Sequence, residues 1–121
     1  MEPLTCSKIV YRAMTRKSWV NRTTEQPTIL PSAFIRRPPP SDDDGLSLDI
    51  LSAESCTAPF RESFGSASLH VGRIRDLGLD VVVDNPPHAC ITGLPLSSDD
   101  LAKAERLAGQ LARLARFIPS T

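Results

Sequence analysis

"LDVVVDNPPHACIT", residues 79–92, is the stretch on which the fold of this chain turns. Residues 79–83 form a continuous apolar run rich in β-branched side chains, which suits a central strand. "DNPP", residues 84–87, separates it from "HACIT" by four turn formers, the spacing of a β-hairpin. Proline has no amide to donate, so ladder pairing must stop before Pro86 and resume at or after His88. Val81 and Val83 then stand across from residues 89–92. In the second strand Ala89 and Ile91 share one face, and His88, Cys90 and Thr92 share the other. His88 is thereby placed where sheet meets loop, a position from which a side chain can reach a ligand.

Working outward, "KIVYRA" (residues 8–13) reads as an opening strand with Ile9, Tyr11 and Ala13 on one face and Val10 and Arg12 on the other. A basic, turn-rich segment follows, with the single tryptophan, Trp19, in a short helical turn. "SAFIRR" (residues 32–37) fits a strand or a helical turn equally. "PPPSDDDG" (residues 38–45) is a break, because proline removes donors and biases its neighbours to extended backbone. "LSLDIL" (residues 46–51) alternates as a half-buried strand. "TAPFRESFG" (residues 57–65) predicts a short helix capped by Thr57, with Phe60 and Phe64 stacked and Gly65 closing it. "SASLHVG" predicts a strand with Ala67, Leu69 and Val71 on one face, and "GRIRDLG" a turn or two of helix closed by Gly78.

The most regular signal is "LPLSSDDLAKAERLAGQLARLARFI". Ser97 is placed to cap a helix, with Asp100 three residues on. Leu101, Ala104, Leu107, Ala108, Leu111, Leu114, Ala115 and Ile118 recur at helical spacing. Lys103, Arg106, Gln110 and Arg113 form the opposite, basic stripe, and Pro119 ends the pattern. The spacing predicts a helix at about 98–118. These elements imply the α+β class: a single small domain over residues 1–121, loop-rich at 14–45, whose mixed sheet of about four or five strands carries the C-terminal helix.

Composition narrows function more than it defines it. The 121 residues carry no net charge, but the charge is segregated. Residues 1–40 hold seven Lys or Arg against two acids, residues 41–100 three against eleven, and residues 101–121 four against one. Such asymmetry marks a surface for a partner, or ends that neutralise the middle. A generic nucleic-acid binder would be basic overall, which disfavours nucleic acid as the partner. Cys6, Cys56 and Cys90 are odd in number and lack CxxC spacing, so free thiols and a reducing cytoplasm are expected. "MEPLTCSKIVYR" lacks the basic start and long apolar centre of a secretory signal, and no stretch has the apolar length of a membrane span.

No phosphate loop, dinucleotide fingerprint, GxSxG elbow or HExxH is present. "SDDDG" lacks the spaced ligands and closing glutamate of a calcium loop. His70 and His88 could join a cysteine or an aspartate at a metal, but their spacing does not require it, so neither metal nor cofactor is expected. Cys90 shares a strand face with His88, yet side chains two residues apart are not placed for proton transfer; Cys56 is the other thiol that could serve as a nucleophile.

The succession "VYRAM", "DGLSL", "SLHVGRIRDLGLDVV", "HACITGLP" resembles a pattern in small bacterial proteins with no assigned function. "VYRAM" and "GLSLDI" are in addition similar to opening strands of ADP-ribosyltransferase-like toxins. That resemblance would put Arg12 on the dinucleotide, Ser47 on a later strand, and His70 or His88 in the same catalytic site. The chain departs from that family in having no ExE or QxE pair. The expectation from the whole is a small cytosolic binding or accessory protein acting through another protein. A bacterial toxin–antitoxin or defence gene pair would suit such a protein, and homo-oligomers are compatible with it. The enzyme of the ADP-ribosyltransferase-like class is the alternative.

Overall fold

Alternation of apolar and polar residues builds most of the strands. The computed structural model describes residues 4–23, 25–36, 46–61 and 63–119. Its strands are β1 (Ile9–Ala13), β2 (Val20–Asn21), β3 (Thr28–Ile29), β4 (Leu46–Asp49), β5 (Ser66–His70), β6 (Asp80–Asn85), β7 (His88–Thr92) and β8 (Arg116–Ile118). Six of them form one sheet in the order β6-β7-β4-β1-β5-β8, and β2 and β3 form a separate ribbon. Every described pairing is antiparallel, so the α+β class stands with a larger and more uniform sheet than the four or five mixed strands expected.

The sheet has two unlike faces. Val10, Leu46, Leu48, Ala67, Leu69, Val81, Ala89 and Ile91 point into one core. The other face carries Tyr11, Ser47, Asp49, Ser68, His88 and Cys90, as the register Ser47↔Cys90, Asp49↔His88 and Tyr11↔Asp49 requires. An antiparallel sheet with one packed and one partly solvated face is the usual outcome of such alternation.

The hairpin forms as the sequence indicates, with Val81 opposite Ile91, Val83 opposite Ala89, and pairing that resumes at His88. Two details differ. Asn85 pairs with His88 after an irregularity between Val83 and Asn85, so the strands reach further and the turn is shorter than four residues. And β6 lies at the edge of the sheet, not at its centre. A β-branched run reports a strand without reporting its place; here Val82 is half exposed between Asp80 and Asp84, and those charges suit an unpaired edge.

The helices correct three expectations. Helix α1 (Ala53–Thr57) begins where Ser52 accepts a hydrogen bond from the Ser55 amide, so Thr57 closes this helix and caps none. Its hydroxyl donates back to the Ala53 carbonyl. Helix α2 (Val71–Asp76) takes over directly from β5 and ends before Gly78. Helix α3 (Leu101–Leu114) is capped by Asp100, which accepts from the Lys103 amide at 3.1 Å, and not by Ser97. It stops at Leu114, short of the expected 118, because Ala115 turns extended and residues 116–118 pair with β5 as β8. Ladder hydrogen bonds to β5 replace the helical ones that this segment would have made.

Ala104, Leu107, Ala108, Leu111 and Ala112 of α3 are buried, and Leu107, Ala108, Leu111 and Ala112 belong to the same core as the sheet. The 3-10 turn Pro31–Phe34 and β3 pack against α3, so the loop-rich segment is wedged against the helix. That segment also holds the 3-10 turn Lys17–Trp19. Residues 32–34 lie in the Pro31–Phe34 turn, and none of residues 32–36 is strand. The proposed break at residues 38–45 lies outside the described residues.

Candidate functional site

Arg12 is the first residue to place. It stands on the core face of β1 between Val10 and Met14, both fully buried. Its Nε donates to the Ala33 carbonyl at 2.7 Å and its Nη1 to the Ser47 carbonyl at 3.0 Å. The guanidinium lies 5.2 Å from the centre of the Trp19 ring and 5.9 Å from that of Phe34. A cation held against two rings and two carbonyls ties β1 to the Pro31–Phe34 turn and to β4.

Ser47 meets Arg12 only through its backbone, since the Ser47 side chain is on the opposite face of the sheet. There it lines a cleft of about 290 Å³ with Asp49, Ser55, Cys56, Pro86, Pro87 and His88, among others. Asp49 is buried and engaged in local structure. One carboxylate oxygen accepts from the amides of Leu51 (2.7 Å) and Ser52 (3.3 Å), the other from the Ser55 hydroxyl (2.7 Å). Asp49 thus shapes the turn from β4 into α1.

Cys56 lies beside this carboxylate. Burial pushes its thiol up to about 12, the Asp49 charge pushes the same way, and Arg12 offsets part of the rise. A thiol held neutral to such a pH is a poor nucleophile at neutral pH. His88 turns to the hairpin, where its Nδ1 lies 2.6 Å from Asp84 Oδ1. That hydrogen bond, and a second from the Asn85 amide, hold the Asp84 carboxyl below its ordinary value.

The structure therefore joins Arg12 to Ser47 by one backbone contact, and Ser47 to His88 by one cleft. It keeps His70 apart. His70 is exposed at the end of β5, in a cleft of about 460 Å³ with Cys6, Arg73, Arg75 and Asp76. Arg75 is occupied there, donating to Asp80 at 3.0 Å and to Cys6 Sγ at 3.4 Å. All three cysteines are free thiols. Among the described residues no three His, Cys, Asp or Glu side chains gather as a metal site would need.

A larger cavity lies elsewhere, and sequence reading did not find it. A groove of about 960 Å³ runs between the β2–β3 ribbon and the end of α3 with β8. Arg22, Arg113 and Arg116 line it, with Gln26 and Thr28, and none of its described lining residues is a carboxylate. Gly109, Ala112, Ala115, Ile29, Phe117 and three prolines supply its apolar wall. Arg22 donates to the Phe64 carbonyl at 2.9 Å and lies 5.6 Å from the Phe117 ring centre. The available signal is the return of basic charge after residue 100, which a solvated helical stripe would also produce. Among the described residues no helix is long and apolar enough to cross a membrane. Comparison of the chain with protein-family models, curated proteins and solved structures finds no match.

Proposed function

We propose that this chain is a non-enzymatic binding protein that acts through a protein partner, and that the arginine-lined groove is where it meets that partner. One observation carries the reading: the groove, of about 960 Å³, collects three arginines and, among its described lining residues, no acid, at the size of a ligand site. The polar side chains of the smaller cleft support it by their employment. Asp49 holds a turn and Cys56 is kept neutral, while Arg12, on the opposite face of the sheet, braces the core. A cytoplasmic setting agrees with three free thiols. A role as one half of a bacterial toxin–antitoxin or defence pair fits a small partner-dependent protein and rests on analogy alone.

The contact of Arg12 with Ser47 supports the second reading, an ADP-ribosyltransferase-like enzyme. One experiment separates the two. The tagged chain is recovered from the organism that encodes it, and its size is measured. Elution with one other protein in a fixed ratio, well above its own 13.2 kDa, is expected, together with no release of nicotinamide from NAD. Elution at 13.2 kDa would refute the partner reading. Nicotinamide release that vanishes in Arg12→Lys would establish the enzyme.

A further inference from the structure

Resting on the binding-protein reading, we infer that the groove takes an extended, acidic peptide segment whose aliphatic side chains seat over Gly109 and Ala112. The side chains of Arg113 and Arg116 are exposed and make no hydrogen bond or ion pair among the described residues, while Arg22 is braced against Phe117. Arg113 has one local task, since a cation in the last turn of α3 offsets the negative end of the helix dipole. That task needs no second and third arginine around a cavity whose described lining holds no acid. Such a cavity has a positive potential that only an anionic occupant neutralises.

Two features select a peptide carboxylate over a compact phosphate. The groove abuts the carbonyl end of α3, whose partial negative charge opposes a dense dianion; phosphate sites favour the opposite end of a helix. And its wall is apolar, which a bare phosphate would leave unused. An extended chain alternates its side chains, so one row of carboxylates can meet the arginines while the other row enters the apolar floor. The floor leaves open space for such a side chain at Gly109. Gly109 stands inside α3, where glycine is the least favoured residue after proline, and a Cβ added there would meet no heavy atom within 4 Å. Pro27, Pro31 and Pro119 stiffen the rim, so the groove is formed before the peptide arrives.

The test uses fluorescence anisotropy with three labelled octapeptides: alternating Asp-Leu, alternating Asp-Ser and alternating Lys-Leu. The full chain is expected to bind Asp-Leu at least tenfold more tightly than either of the others. Arg113→Gln with Arg116→Gln should weaken Asp-Leu at least tenfold, and Gly109→Trp should do the same by filling that space. Circular dichroism shows that each variant is folded; should Gly109→Trp fail to fold, the double arginine variant, both of whose sites are exposed, decides. Equal affinity for Asp-Leu and Asp-Ser would overturn the inference, because charge alone would then explain binding. So would tighter binding of a twelve-nucleotide oligothymidylate, or self-association that the groove variants abolish. If the native partner still co-elutes with the double arginine variant, the groove is not the site although the binding-protein reading stands. If no partner co-elutes with the unaltered chain, that reading fails first.

Discussion

Replacing Gly65 by alanine probes the joint at which β5, the end of β1 and β8 meet. Gly65 has φ of +113°, a conformation that L side chains rarely adopt. Forcing an alanine there costs on the order of 1–3 kcal/mol in backbone strain. The new Cβ would also lie 2.7 Å from the Ile118 carbonyl oxygen and 2.7 and 2.8 Å from Cε1 and Cζ of Phe117. The ring can swing, but the carbonyl belongs to β8, so relief requires β8 to shift on β5. Overpacking of this kind adds about 1–3 kcal/mol. The total of about 2–6 kcal/mol is a large part of the 5–15 kcal/mol that holds an ordinary domain together. Urea unfolding followed by circular dichroism and Trp19 fluorescence measures it. Gly78→Ala is the control: its φ is +82°, but nothing lies within 4 Å of the new Cβ, so it carries the strain without the collision. The expected result is a clearly larger loss for Gly65→Ala, partly relieved when Phe117 is also made alanine. Equal losses at the two glycines would mean that β8 does not sit against Gly65, and the reasoning about the groove wall would fall with it.

Gly109→Ala should raise stability by about 0.4–1 kcal/mol, because the helix gains a better residue in open space; a loss in urea unfolding would show that the space is not open. Arg12→Lys should cost about 1.5–3 kcal/mol in the same assay, since an ammonium cannot span two carbonyls and two rings, and an unchanged midpoint would remove the arginine from that place. Cys56 should make the fold alkali-sensitive. Its native thiol, raised from 9.0 to about 12, stays protonated where the unfolded chain has ionised. Its contribution is thus full below pH 9.0 and declines towards pH 12 by about 1.4 kcal/mol per unit, a decline that Cys56→Ala should abolish when unfolding at pH 8 and pH 10.5 is compared. His88→Ala should leave the chain folded and let the Asp84 carboxyl titrate closer to its ordinary 3.8, as carboxyl NMR would report. The hydrogen bond from His88 depresses that value, so the stability it supports is present above pH 3.8 and is lost as pH falls through the lowered one. An Asp84 titration unmoved by the substitution would show that the pair does not form.

How far the fold could be read depended on whether the signal was local. The hairpin residues 79–92, the alternation of β1 and β4 and the apolar stripe of α3 are short-range patterns, and each reappears in the structure. What failed was competition between two acceptable local solutions. Residues 116–118 continue the helical spacing of α3 but also suit a short strand, and pairing with β5, some fifty residues away, decides for β8. Likewise Thr57 and Ser52 are both good caps, and the Asp49 carboxylate favours Ser52 by binding the amides on its side of the turn. Edge or centre is not local at all, which is why β6 was misplaced while its register was foreseen.

The same distinction governs the site. Arg12, Ser47, His70 and His88 stand out in the sequence because each residue type has known chemistry, yet strand alternation alone sends Arg12 and the Ser47 side chain to opposite faces. What remained illegible was the groove, because it has no contiguous motif. Arg22 comes from the ribbon side, Arg113 from the last turn of α3 and Arg116 from an edge strand that the helical pattern had concealed. An arginine on the exposed side of a continuous helix would have been one more solvated charge. Once the helix ends at Leu114 and the chain returns along β5, Arg113 and Arg116 line a common cavity with Arg22, and the charge that looked dispersed along the sequence becomes a surface. The break between α3 and β8 is therefore what makes the groove, and through Gly65 its stability and its ligand are open to test on one short strand.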